Sequence, residues 1–181
     1  CDGRVEDEFP PHWASADYRA GIESKWVLPI VSRGDSSILV PERIDPIRVC
    51  GRLNPVASHE ASGGVIYDFG ANIAGRLSVT VCGERGAEIT LVHGQRLTAD
   101  GDVNTLNLRS AKATDRYILK GAPDGETYSP RFTYHGFQFA KIITKGNVTV
   151  KSVIAEHLHS DVDLIGEFSC SDKKLDYLHE I

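Results

Sequence analysis

GRLSVTVCGERGAEITLVHG, residues 75 to 94, decides the fold class. Leu77, Val79 and Val81 alternate with Arg76, Ser78 and Thr80, a period of two that turns one face inward and leaves the other in water. The next run does the same, with Ala87, Ile89 and Leu91 opposing Glu88 and Thr90. Between them CGERG at 82–86 supplies two glycines where a tight hairpin connection needs permissive backbone.

Working outward, short apolar segments separated by turn residues predict further strands at 44–50, 64–69, 113–120, 127–134, 137–144, 148–157 and 162–168. PDG at 123–125 and KGN at 145–147 are turns with a mechanism, since Pro presets φ and Gly or Asn tolerates positive φ. Strands do not alternate with long helices, which argues against Rossmann and TIM architectures. The expectation is an all-β antiparallel sandwich over 37–168, preceded at 1–36 by a linker or the end of another domain, in which 17–26 could form one short helix.

At the other end SDKKLDYLHEI, 171–181, places Leu175, Leu178 and Ile181 at helical spacing behind a Ser171 or Asp172 N-cap. A helix this short needs a partner for its apolar stripe. It reads either as the truncated start of a following helical domain at 169–181 or as a helix docked on its own domain.

With 41% hydrophobic residues the chain can bury a sizeable core. Its apolar runs are far shorter than the roughly 20 residues of a membrane span, so no membrane partner is expected. A net charge of −5 without a basic stripe excludes the footprint of a nucleic-acid binder. Cys1, Cys50, Cys82 and Cys170 contain no CxxC pair; they are expected to be buried or partly buried thiols, with a disulfide left open. The chain opens at Cys1 without an initiator methionine or signal peptide, so its true N-terminus is expected to be absent, which leaves localisation unknown, with cytoplasmic slightly favoured over periplasmic or secreted.

Candidate chemistry is sparse. On a strand, Ala113, Asp115, Tyr117 and Leu119 share a face, so Asp115 among apolar neighbours needs a partner, for which Arg109, Arg116 and Arg131 are at hand. In RFTYHGF, 131–137, Tyr128, Phe132 and Tyr134 alternate on one face, and His135-Gly136 reads as a turn before the next strand. Tyr134 or His135 could touch a glycan, although aromatics at strand spacing are more often core. TADGDVN at 98–104 starts like a calcium loop but has Thr105 and Ala111 where Gly and Glu belong, so a surface turn is preferred. His157, His159 and Asp161 share a strand face, but a lone HxH is weak evidence for zinc, and no metal site is assigned. Nucleophile elbows and phosphate loops are absent, so no cofactor is expected.

Three strings together carry a resemblance: YDFGANIAGRLSVTV at 67–81, LRSAKATDRYILKG at 108–121 and PRFTYHGFQF at 130–139. In this order they resemble the concanavalin-like, jelly-roll-type β-sandwich of bacterial α-L-rhamnosidases, glycoside hydrolase family 78. The likeness covers about residues 38–181. It departs from the family pattern at Ala71, Leu106, Gln138 and Phe139.

The resemblance implies an accessory domain of an inverting exo-hydrolase that releases terminal α-L-rhamnose. General acid and base would belong to an (α/α)6 barrel of the same polypeptide, so no catalytic role passes to any residue here. Partners implied are that barrel and, through the parent enzyme, a rhamnose-containing glycan. Sugar-binding or interdomain candidates are Asn107, Arg109, Asp115, Arg131, Tyr134 and His135. The alternatives are an autonomous carbohydrate-binding module and a purely structural interdomain spacer.

Overall fold

The computed structural model describes residues 40–163 and 165–180. The linker and short helix expected within 1–36, and Cys1 with them, lie outside the described residues. Eight strands follow: β1 Ile47–Leu53, β2 Ala57–Ala61, β3 Gly64–Gly83, β4 Glu88–Gly94, β5 Thr114–Ile118, β6 Glu126–Tyr128, β7 His135–Lys145 and β8 Val148–Ser160, with one helix, α1, at Lys173–Glu180. All pairings are antiparallel, in the order β1-β8-β3-β7-β4-β5, with β2 and β6 also on β3.

β3 organises the molecule. Its first part pairs with β7 from Val65 to Asp68, and its second part lies against β8 from Gly75 to Gly83. Between them the register with β7 slips at Asp68/Ile73, where Gly70 takes φ 74° and donates its N–H to the Asp68 carboxylate at 2.7 Å. Gln138 donates to the same carboxylate at 3.0 Å, so one departure from the family pattern has a local structural role. An irregularity of this kind bends a strand and increases its twist. It lets a single curled sheet close as a concanavalin-like sandwich, as expected from the sequence.

The alternation that opened the reading is obeyed. Leu77, Val79, Val81, Ile89 and Leu91 are wholly buried and join Phe69, Tyr117, Leu119, Tyr128, Phe137, Ala140 and Ile142 in one core. Phe69 meets Phe137 edge-on at 5.8 Å, and Tyr117 of β5 stacks on Tyr128 of β6 at 4.5 Å, closing the layers on each other. Gly75 sits where β3 meets both β7, opposite His135, and β8, opposite His157. A Cβ there would lie 2.2 Å from the Glu156 carbonyl oxygen, so only glycine allows this approach.

Several local expectations need correction. CGERG is not a hairpin: β3 and β4 are not paired, and the segment bridges them through Gly86 N–H to Leu119 O and Glu84 N–H to Asn147 O. The 162–168 stretch forms no strand at its described residues, because no neighbour takes up its backbone there. The strand expected at 127–134 stops at Tyr128, and β7 already begins at His135, which is therefore not a turn residue. Tyr128 is buried while Phe132 and Tyr134 are exposed, so those aromatics do not share a face. Cys50 is exposed rather than buried, while Cys82 and Cys170 are half-buried free thiols. Asp172 caps α1, accepting the Lys174 N–H at 2.9 Å, and Leu175 and Leu178 remain exposed.

Candidate functional site

β4, β5 and β7 bring three ionisable side chains together between the layers. His93 belongs to the inward series Ile89, Leu91, His93 of β4 and is fully buried. Its Nδ1 donates to the Ala113 carbonyl at 3.1 Å, just before β5 begins. Asp115 stands on β5 opposite Leu91, and His135 opens β7. His135 Nε2 donates to Asp115 Oδ2 at 3.0 Å, and His93 Nε2 lies 4.0 Å from the same oxygen.

The two imidazoles stack at 4.3 Å, and Phe137 closes the other side of His93 edge-on at 4.9 Å. Burial, then the neighbouring His135, pushes the His93 pKa down to about 4. For Asp115, burial acts upward, but the His135 hydrogen bond and the two imidazoles outweigh it and hold the carboxyl below its usual range. His93 is thus neutral at physiological pH, its bare Nε2 facing a carboxylate. That nitrogen is buried with no hydrogen-bond partner.

The sequence candidates separate in space. Asp115 and His135 meet, but none of the expected arginines pairs with Asp115: Arg116 bonds to Glu88, and Arg109 and Arg131 are exposed. His135 takes the place expected of an arginine, reaching Asp115 of β5 from β7, two strands away across β4 in the same sheet. Asn107 is exposed within a single 3₁₀ turn, Leu106–Leu108, after which Arg109 takes φ 54°. Tyr134 is 58% exposed and lines a pocket of about 160 Å³ with Ile47, Ala74, Leu158, His159 and Ser160. Next to it Phe132 projects fully into solvent at φ 61°.

The buried carboxylates serve the framework. Glu156 binds Arg76 at 2.9 Å and Ser129 at 3.2 Å, with Arg52 at 3.4 Å, so Arg76, expected in water, is tied to its neighbour strand. Glu126 accepts the Tyr117 hydroxyl and the backbone N–H groups of Lys120, Gly121 and Ala122. In the 98–104 loop Asp102 holds the buried Lys141 ammonium at 2.8 Å, an ion pair where the sequence offered a turn. His157 and His159 are edge-to-face at 4.9 Å, and Asp161 pairs with Arg48, leaving that set without the arrangement of a zinc site.

His93 was missed. Its signal was available: a histidine continuing an inward alternation of aliphatics is a buried polar group in need of explanation.

Comparison with known proteins places this geometry in context. Residues 58–159 match the family described as bacterial alpha-L-rhamnosidase concanavalin-like domain. The chain is 37% identical over 147 residues to an alpha-L-rhamnosidase of Streptomyces avermitilis, covering 77% of this chain and 14% of that protein. It is 34% identical over 173 residues to one of Alteromonas sp. (strain LOR), covering 93% and 18%. The structure of alpha-L-rhamnosidase from Dictyoglumus thermophilum superposes with a TM-score of 0.67 at 34% identity, over 76% of this chain and 16% of that one. The chain therefore spans less than a fifth of the length of these relatives.

Proposed function

The chain belongs to the bacterial α-L-rhamnosidase family through its concanavalin-like domain, and from that membership we propose that it is the accessory sandwich of a rhamnoside-cleaving enzyme, inert by itself. The observation that carries this reading is the small share of each relative that the sandwich accounts for. What the chain's carboxylates do supports it. Inverting hydrolysis needs an acid and a base about 6.5–9.5 Å apart across an open cleft. Glu126 and Glu156 are instead buried in framework hydrogen bonds, and the pocket beside Tyr134 has no carboxylate in its lining.

The acid and the water-activating base then reside in a helical barrel elsewhere in the polypeptide, which the sandwich braces. The substrate is a terminal α-L-rhamnoside and the reaction inverts the anomeric centre. α1, with Leu175 and Leu178 exposed, begins that barrel. Asn107, Arg109 and Arg131, on loops, are the contacts offered to it, while Asp115 and His135 stiffen the strands beneath.

An aryl α-L-rhamnoside assay tests the proposal, comparing this chain with a polypeptide that includes a barrel. Turnover is expected from the longer protein alone. Activity of the short chain that survives repurification and disappears when one of its own carboxylates is replaced would refute it.

One observation favours a second reading, glycan binding by the sandwich: the half-exposed Tyr134 ring at the edge of a pocket. Calorimetric titration with rhamnose at millimolar concentration decides it. Heat that Tyr134→Ala abolishes would establish binding, and no heat would remove it.

A further inference from the structure

The geometry points to a site for a divalent transition-metal ion, of zinc type, formed by His93, Asp115 and His135 between the layers of the sandwich. Their donor atoms all lie within 4.8 Å of one another. Zinc holds imidazole nitrogen at about 2.0–2.1 Å and carboxylate oxygen at about 2.0–2.2 Å, which sets tetrahedral donors roughly 3.4 Å apart. The separations of 3.0 Å and 4.0 Å from Asp115 Oδ2 to the two histidines bracket that spacing. Convergence on one ion requires side-chain torsions of His135 and Asp115 to change, His135 turning out of its stack on His93.

The independent observation is the orphaned nitrogen. His93 is fully buried, its Nδ1–H is fixed on the Ala113 carbonyl, and its Nε2 therefore presents a lone pair to the interior with nothing to accept it. If the trio were only a structural ion pair, His135 and Asp115 would complete it and His93 would be redundant. An imidazole held by a backbone carbonyl through one nitrogen, with the other nitrogen free, is the usual posture of a metal-ligating histidine.

Two imidazoles with one carboxylate suit zinc, cobalt or nickel and not magnesium or calcium, which take oxygen donors. As a ligand, His135 would offer Nε2 with its ring proton on Nδ1. Asp115 and His135 keep 11% and 12% of their side-chain surface exposed, which leaves the ion a path of entry and room for a water as fourth ligand. The ion would clamp β4, β5 and β7, tying the 105–113 loop to the 129–134 segment.

The test uses this chain stripped with a chelator and titrated with Zn²⁺ and with Co²⁺. One equivalent is expected, with the visible absorption of four-coordinate cobalt and a rise in Tm that Mg²⁺ does not reproduce. His135→Gln and Asp115→Asn should each weaken binding by more than the roughly 10-fold lower bound typical of losing an outer partner. A His157→Gln/His159→Gln double variant should bind as the parent does. Less than stoichiometric metal on the folded parent overturns the site, as does affinity unchanged in His135→Gln or lost in the double variant. Should His135→Gln lose its far-ultraviolet circular dichroism, imidazole ¹⁵N shifts of the parent decide: metal must move His93 Nε2, and an unmoved resonance overturns the site.

Discussion

At the scale of single residues, the framework depends on buried charges that are fully engaged. Burial acts to raise the Glu126 pKa, but the Tyr117 hydroxyl and three backbone N–H groups outweigh it, so the carboxyl sits below its ordinary value. Glu156 is lowered in the same way by Arg76, Ser129 and Arg52 against its burial. For a carboxylate whose pKa falls on folding, the unfolded chain binds more protons in the interval between the two values. Its contribution is complete above the ordinary glutamate pKa and is lost as pH falls through the lower, folded one. Glu126→Gln should therefore cost about 2 kcal/mol at pH 7, the scale of hydrogen bonds to a charged group, and flatten the acid limb of a urea-denaturation series recorded against pH. An unchanged acid limb would show that Glu126 does not contribute to it. Phe132 makes the opposite case: a fully exposed aromatic at φ 61° gains nothing from burial and bears the cost of a left-handed backbone. Phe132→Gly is expected to stabilise by up to about 1 kcal/mol in the same denaturation assay. Asp115 was legible as a polar group on an inward face, but its partner was not. His135 lies 20 residues away in sequence and stands two strands away across β4, a relation that no local spacing encodes.

Among the elements, period two was enough to find β4, β5, β7 and β8, because each has one face on the core. It failed on β3, read as separate strands at 64–69 and 76–81, because the slip between Asp68 and Ile73 breaks the alternation while the backbone continues. It also promoted 162–168 to a strand, since alternation describes a side-chain pattern and pairing depends on a free neighbour. β2 escaped notice: ASHEA is short and almost entirely exposed, held by its ladder to the start of β3 rather than by burial. The crossing at Gly75 gives the element-scale prediction. Gly75→Ala must push a methyl group into backbone that cannot retreat, and a loss of about 2 kcal/mol or more is expected, seen as a lower denaturation midpoint at unchanged m-value. A variant as stable as the parent would mean that β3 and β8 part more easily there than their geometry implies.

On the scale of the whole molecule, the fold was legible because both alternation and three familiar strings pointed to it, whereas its pairing order was not. The sandwich and α1 also differ in how they are supported. The β-core buries a continuous apolar cluster, while α1, eight residues long, keeps Leu175, Tyr177 and Leu178 exposed. Helices of that length are marginal without tertiary contacts. Hydrogen exchange should find the amides of α1 exchanging fastest among the described elements, and those in the middle of β3, β7 and β8 slowest. Protection of α1 comparable to that of β3 would contradict its lack of support. The curvature of β3 has a mechanical corollary. Since one unbroken run of peptide threads both halves of the sandwich, tension applied to the ends of β3 would be shared by every ladder that this strand anchors, to β2, β6, β7 and β8.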